Sequence, residues 1–301
     1  MEEKIIQLKD YLPEVLTDRI KREDIILLDL QTTGRYWRSS HITDLTLIHP
    51  TGQADFLERH MPSDSEKAEY ELLKDLPDLL EDHRSLLTYN GTSFALPYLT
   101  RKLKAYGLAD PFPGHDHLDL LKVFQPFAPV FGLPSARLKD MASFLSLPYD
   151  NEAEAMLTLL PLFAYRSFFT RKSGEFSCAF EEDFVIYTLP LREEVPKALS
   201  YRDTVFHINF SEKECRIAVP VDEGNLRLYY TDFENYDFLP SEGHAVHKSL
   251  SHFVEKSRRE KAVRETCYTL IPCDDSFKKN ERRQGQYLTS LINYLSKPLI
   301  R

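Results

Sequence analysis

The strongest constraint on the fold is the continuous apolar run DIILLDL at 24–30, which leads into the turn sequence QTTG at 31–34. A short apolar run bounded by a turn signal is typical of a strand buried on both faces of a sheet. Because side chains alternate between the two faces of a strand, Asp29 and Gln31 share one face. The run therefore predicts a central strand with a carboxylate and an amide side by side near its end.

The segments that follow predict an α/β first half. HITDLTLIHP and GQADFLE, at 41–50 and 52–58, are separated by a Pro-Thr-Gly turn and predict an antiparallel hairpin. The next elements are predicted as a helix at about 65–82, which Pro77 should kink or split, a strand at 85–90 and a helix at 92–107. Three further helical segments are predicted near 117–127, 135–146 and 151–170.

After about residue 175 the pattern changes to short strands with turn signals between them. Strands are predicted at 184–191, 203–210, 215–221, 226–233 and 266–272, with helical spacing at 245–259 and a terminal helix at 282–297. We therefore expect two domains, at 1–172 and 173–301. The fold class is an α/β mixed sheet flanked by helices, followed by a smaller β-rich α+β region.

Charge is unevenly distributed along the chain. The net charge is −9, yet residues 241–301 contain twelve Lys and Arg against seven Asp and Glu. Phosphate binding depends on basic side chains, and the basic segments are 100–104, 256–264 and 278–283. For each segment taken alone, a solvated helix face is the favoured explanation.

Composition excludes several classes of protein. Four cysteines without C-x-x-C spacing support neither a zinc site nor a disulfide framework. The first residues are acidic and no eighteen apolar residues run together, so neither a signal peptide nor a membrane span is predicted. We expect a cytoplasmic protein without a membrane partner.

Two motifs carry a resemblance to a known family. LDLQTTG at 28–34 is similar to the D-x-E-T-T-G motif of the DEDD 3′–5′ exonuclease superfamily, and YNGTSFALPYL at 89–99 is similar to its Y-N-G-x-x-F-D-x-P-x-L motif. About the first 165 residues resemble the YprB-type ribonuclease-H-like domains of bacteria, whose order is strand, strand, strand, helix, strand, helix. Residues 235–269 resemble the C-terminal extension of a clostridial branch of that family.

The resemblance implies a metal site that has lost ligands. Asp29 matches the first acid and is the implied metal ligand, while Gln31 and Ala95 stand at the second and third acidic positions. Glu152 aligns with the fourth acid, and Pro148 stands where the family has a histidine. The resemblance implies Mg²⁺ or Mn²⁺ as the cofactor. The residual carboxylates supply a formal charge of −2 where the family has −4, so such an ion would be weakly held.

The same two motifs supply candidate nucleic-acid contacts, namely Thr32, Thr33, Tyr36, Trp37 and Asn90. Tyr36 and Trp37 look exposed and are suited to stacking on bases, although packing in the core or in a lid is an equal interpretation. Asn90 and Gly91 predict a tight strand-to-helix turn. Asp116 or Asp119 is expected to cap a helix start.

Three functions remain open at this point. The first is a ribonuclease-H-like module with a degraded metal site, which binds nucleic acid or protein and has little or no nuclease activity. The alternative is an active metal-dependent 3′–5′ exonuclease with further ligands. The second alternative is a protein-interaction scaffold that uses its C-terminal region and makes no nucleic-acid contact.

Overall fold

The chain divides into two compact units, Met1–Ala164 and Tyr165–Arg301. The boundary expected between residues 172 and 173 lies outside the residues that the structure describes. The computed structural model describes residues 1–7, 13, 15–51, 55–147, 149, 151–170, 174–202 and 205–300.

The first unit is built on one mixed sheet. Its strands are β1 (Glu2–Gln7), β2 (Ile25–Thr32), β3 (Ile42–Pro50), β4 (Asp55–Pro62), β5 (Ser85–Thr88) and β6 (Asp116–Asp119), in the order β1-β4-β3-β2-β5-β6. Neighbouring strands are antiparallel from β1 to β2 and parallel from β2 to β6. The helices are α1 (Glu66–Leu80), α2 (Ala95–Ala105), α3 (Leu120–Phe124), α4 (Leu138–Phe144), α5 (Glu152–Thr158) and α6 (Phe163–Thr170), which continues into the second unit.

The predicted central strand is β2, and its two faces differ. Leu28 and Leu30 belong to an apolar cluster that includes leucines of α1 and α2. Asp29 and Gln31 alternate with them and therefore face the other side of the sheet, where α5 packs against β2 and β3. This alternation gives the first unit one apolar face and one face that carries polar groups toward the end of β2.

Three predictions for the first unit were wrong in part. The segment predicted as a helix at 117–127 begins as the edge strand β6, and only Leu120–Phe124 is α-helical. The helix α1 is unbroken across Pro77, which stands close to its end and removes only one hydrogen bond there. The segment at 151–170 is α5, a 3₁₀ turn at Leu160–Leu162 and α6, since Pro161 interrupts it.

The second unit is β-rich. Its strands are β7 (Ser177–Phe180), β8 (Phe184–Pro190), β9 (Leu199–Arg202), β10 (His207–Phe210), β11 (Glu214–Pro220), β12 (Asn225–Tyr229), β13 (Tyr236–Leu239), β14 (His244–His247), β15 (Glu260–Lys261) and β16 (Tyr268–Pro272). They form sheets in the orders β7-β8-β11-β10-β9, β12-β16 and β14-β13-β15. The helices are α7 (Lys248–Ser251), α8 (Asp275–Lys278) and α9 (Glu281–Ser296).

The predicted strands and the terminal helix of this unit are confirmed apart from their bounds, but the helical segment at 245–259 was wrong. It contains strand β14, the single turn α7 and a 3₁₀ turn at Lys256–Arg258, because β14 pairs with β13 instead of continuing a helix. The fold class, a mixed sheet flanked by helices followed by a β-rich region, is confirmed. Within the described part of the chain, no helix has both the length and the apolar character that crossing a membrane requires.

Candidate functional site

Asp29 is the centre of the polar face. It is half-buried, and burial together with the negative charges of Glu152 and Asp44 raises the pKa of its carboxyl from 3.8 to about 6. Hydrogen bonds from the backbone of Leu30 and from the side chain of Gln31 lower this pKa. Asp29 therefore lies among negative charges, and its neighbour on the same face of β2 is a neutral amide.

Asp44 is a member of this group that sequence reasoning missed. It lies on β3 directly opposite Gln31 and is 8% exposed. Thr46 Oγ1 donates to Asp44 Oδ2 over 3.0 Å, and His60 Nε2 lies 2.9 Å from Asp44 Oδ1. The hairpin register was the signal that could have found it, since the residue facing Gln31 is fixed once 41–50 pairs with β2.

Glu152 reaches the same group from the first residue of α5. The helix starts at the cap residue Asn151, whose side chain accepts hydrogen bonds from the N–H groups of Ala153 and Glu154. The Asn151 Nδ2 group also donates to Glu58 Oε1 on β4 over 2.8 Å, which fixes the start of α5 against the sheet.

Tyr149 completes the group. Its hydroxyl donates to Glu152 Oε1 over 2.9 Å. Burial, this hydrogen bond and the charges of Glu152 and Asp29 raise the pKa of Tyr149 to about 12, so it is a hydrogen-bond donor at neutral pH. The fold thus brings Asp29, Gln31 and Glu152 together with Asp44 and Tyr149, whereas Pro148 lies outside the described residues.

Ala95, at the third acidic position of the motif, is the first residue of α2. It is 6% exposed and belongs to the apolar cluster that contains Leu28 and Leu30. Its methyl group offers no metal ligand. This position is therefore part of the hydrophobic core of the first unit.

Asn90 has a structural role in the turn before α2. It adopts a left-handed backbone with φ of 64°. Asp119, which is buried, accepts hydrogen bonds from the N–H groups of Asn90 over 2.8 Å and Thr92 over 3.0 Å. It also accepts from Leu121 N–H over 3.2 Å and caps α3, as the sequence predicts for one of the two aspartates.

The remaining candidates lie in the turn after β2. The Thr32 hydroxyl donates to Gly34 O over 2.9 Å, and the Thr33 hydroxyl accepts from His41 N–H over 3.1 Å, so both serve the turn itself. Tyr36 is 81% exposed, which confirms the exposed interpretation. Trp37 instead follows the packing interpretation, since it is half-buried against the apolar cluster with Arg38 5.1 Å from its ring centroid.

The donor set does not fit a two-metal centre. Across residues 1–300, apart from the gaps given above, no group of three or more His, Cys, Asp or Glu side chains is arranged to hold a metal ion. The carboxylates near Asp29 are those of Asp44 and Glu152; Asp44 Oδ2 accepts from Thr46, whereas its buried Oδ1 lies 2.9 Å from His60 Nε2 but makes no hydrogen bond within the described residues. A pair of divalent ions needs more anionic oxygen than this group presents.

Comparison with known proteins gives one family and a set of related folds. A family model described as the RNase_H superfamily matches residues 26–176. The search of curated proteins found no match. Similar solved structures include one of exonuclease I, the ExoI/SSB-Ct complex and E. coli exonuclease I in complex with a dT13 oligonucleotide, each with a TM-score of 0.38. Their sequence identities to this chain are 11%, 11% and 10%, respectively. The matches cover 90%, 91% and 92% of this chain and 69%, 71% and 74% of the other chain.

Proposed function

The chain belongs to the RNase H superfamily, and we propose that it is a nucleic-acid-binding member with little or no nuclease activity. The observation that carries this proposal is that the second and third acidic positions of the motifs hold Gln31 and Ala95, and that Ala95 is buried in the apolar cluster of the first unit. The finer assignment to the YprB-type branch is part of the same proposal and rests on the motifs at 28–34 and 89–99.

The Gln31 amide changes what the site needs in order to be stable. A glutamate at this position would repel Asp29 and would require a cation between the two carboxylates. The neutral amide of Gln31 adds no such repulsion, and its interaction with Asp29 lowers the pKa of that carboxyl against the larger, opposite effects of burial, Glu152 and Asp44. The side chain at the second position of the motif therefore leaves less negative charge to be balanced by a cation.

The turn that follows β2 suits a nucleic-acid strand. Ser40 Oγ donates to Tyr36 O over 2.7 Å and to Gly34 O over 2.9 Å, so the backbone of the turn is fixed while the Tyr36 ring is exposed. Arg35 and Arg38 flank it and are exposed. An exposed aromatic ring on a hydrogen-bonded turn, with an arginine near it on each side in the sequence, supports stacking on a base together with phosphate contacts.

One observation favours the alternative of a metal-dependent 3′–5′ exonuclease. Asp44 faces Gln31 and adds its charge to those of Asp29 and Glu152. A carboxyl whose pKa is raised by two neighbouring carboxylates is also a group that attracts a cation. Under this alternative, Asp44 would supply part of the charge lost at Gln31.

Binding is tested by fluorescence anisotropy of a labelled oligothymidylate and the matching oligouridylate, titrated with the full chain at several salt concentrations. We expect binding that weakens as salt rises, since phosphate contacts release counterions. Tyr36→Leu should weaken it and the control Tyr36→Phe should retain it, because only the latter keeps the ring. Absence of binding at low salt would instead favour the protein-interaction scaffold, with its partner held through the C-terminal region.

Activity is tested with 3′-labelled and 5′-labelled single strands in Mn²⁺, comparing the full chain with Asp29→Ala. We expect no degradation above that of the variant. Degradation that disappears in Asp29→Ala would establish the nuclease alternative. Loss of the same activity in Asp44→Asn would then assign Asp44 to the site.

A further inference from the structure

An exposed aromatic side chain lies on a loop of the second unit. Phe253 is 81% exposed, and we call residues 252–258 the Phe253 loop. The ring of His252 lies 3.9 Å from that of Phe253, centroid to centroid, at an interplanar angle of 36°. The ring of Phe253 contributes little buried area to the fold and is accessible to a ligand.

Both ends of the Phe253 loop are fixed by one buried carboxylate. Asp237 Oδ2 accepts a hydrogen bond from Ser251 Oγ over 2.5 Å and another from Arg259 Nη1 over 3.1 Å. Asp237 is 9% exposed and Ser251 is fully buried. Because Ser251 directly precedes the loop and Arg259 directly follows it, the loop is closed at its base and its two rings project from an ordered support.

The loop and its surroundings are basic in an otherwise acidic chain. Residues 247–264 contain six Lys and Arg against two Asp and Glu, whereas the whole chain has a net charge of −9. Lys256 and Arg258 are exposed within the loop. Arg258 lies 3.7 Å from Glu255, but both side chains are more than 70% exposed, so this ion pair is weak.

We propose that the Phe253 loop is a binding site for single-stranded nucleic acid, in which Phe253 and His252 stack on bases while Lys256 and Arg258 contact phosphates. The proposal rests on the proposed function and adds a second contact in the second unit. Stacking on aromatic rings combined with a basic surface is how single strands are bound without sequence preference. The positive charges of Lys256 and Arg258 near the Phe253 ring favour an anionic ligand. An uncharged apolar partner would make no ionic contact with these two side chains.

The test uses the anisotropy titration with oligothymidylate and substitutions of Phe253, whose exposure makes them compatible with folding. Phe253→Ala and Phe253→Leu should both weaken binding about 5- to 150-fold, since each removes the π face, and Phe253→Tyr should restore it. Phe184→Leu is the matched control, because it removes another exposed ring of the second unit and should leave affinity unchanged.

The basic residues have a separate readout. Lys256→Ala combined with Arg258→Ala should reduce the slope of log affinity against log salt by about 1.4, which is two phosphate contacts on a single strand at about 0.7 each. Phe253→Leu should leave this slope unchanged while lowering affinity. Together the two variants separate stacking from charge.

Several results would overturn the proposal. If Phe253→Leu binds oligothymidylate with wild-type affinity, the ring does not stack on bases. If the slope of log affinity against log salt is unchanged in the variant that combines Lys256→Ala with Arg258→Ala, these two residues do not contact phosphates. Binding to vesicles of phosphatidylserine and phosphatidylcholine that Phe253→Leu retains, without oligonucleotide binding, would assign the loop to a membrane surface. If the chain binds oligothymidylate through Tyr36 but not through Phe253, only this inference fails; if it binds none, the proposed function fails as well.

Discussion

Gln31 on β2 lies directly opposite Asp44 on β3, so an amide and a carboxylate face each other beside Asp29. Residues opposite each other in an antiparallel pair have side chains on the same face and in contact range. Asp44 Oδ2 accepts from Thr46 and Asp44 Oδ1 lies 2.9 Å from His60 Nε2, while burial and the charges of Glu152 and Asp44 raise the pKa of Asp29. The two strands therefore gather polar side chains around a carboxyl whose charged form the fold disfavours.

The pKa of Asp29 predicts a pH-dependent stability. Since folding raises this pKa from 3.8 to about 6, the folded state holds the proton more tightly than the unfolded state. The contribution of Asp29 is most favourable below about pH 4 and is lost as the pH rises through about 6. At neutral pH, the free energy of unfolding of Asp29→Asn should therefore exceed that of wild type by about 1 to 3 kcal/mol. The variant should accordingly unfold at a higher urea concentration.

This difference in the free energy of unfolding should shrink as the pH is lowered from neutral toward 4, because Asp29 is protonated in folded wild type below about pH 6 and the pH then approaches the unfolded-state pKa of 3.8. Urea titrations of the two proteins at neutral and acidic pH measure it directly. A difference that stays constant with pH would mean that the pKa of Asp29 is unaltered by folding.

Gln31→Glu should create a cation site. The new carboxylate would lie between Asp29 and Asp44, so their mutual repulsion favours Mn²⁺, and affinity should rise about tenfold or more. Calorimetric titration with Mn²⁺ measures this affinity. Ser39→Glu adds the same charge at an exposed position of the following turn and should leave Mn²⁺ affinity near that of wild type. Equal affinities in the two variants would mean that this face is not the metal site.

Gly91 has no space for a side chain. A Cβ atom on Gly91 would lie 2.0 Å from Thr88 Oγ1 and 2.5 Å from Thr88 Cβ, so the turn before α2 must shift. We expect Gly91→Ala to lower the free energy of unfolding by about 1 to 3 kcal/mol. Gly114→Ala is the control, since no atom lies within 4 Å of its Cβ position. Similar stability of the two variants in denaturant titrations would contradict this packing.

Asp119 should matter through its hydrogen bonds. Its replacement by Ala removes the acceptor of the N–H groups of Asn90, Thr92 and Leu121, and should cost about 1 to 3 kcal/mol. Asp119→Asn keeps one acceptor oxygen and should cost less. Asp116→Ala, on the same strand, is the control. The melting temperatures of wild type, Asp119→Ala, Asp119→Asn and Asp116→Ala measure these effects. A melting temperature of Asp119→Ala equal to that of wild type would show that Asp119 does not stabilise this turn.

Local patterns were sufficient where neighbouring residues decide the structure. The apolar run at 24–30 predicted β2, and the spacing at 282–297 predicted α9, because burial of a continuous face requires the period of that element. The pattern failed at Asp116–Asp119 and at His244–His247, which are strands because β5 and β13 offer them hydrogen-bonding partners. Four-residue strands of mixed polarity carry too little periodicity to reveal such pairing.

By itself the sequence determined that Asp29 and Gln31 share a face at the end of a buried strand, because alternation along a strand is a local property of the backbone. The resemblance of the motifs at 28–34 and 89–99 further implied that Gln31 and Ala95 stand where the family has acids. Only the tertiary structure decided that Asp44 and Tyr149 join this group and that Asp237 closes the Phe253 loop, because those contacts join residues from separate elements and depend on register and packing.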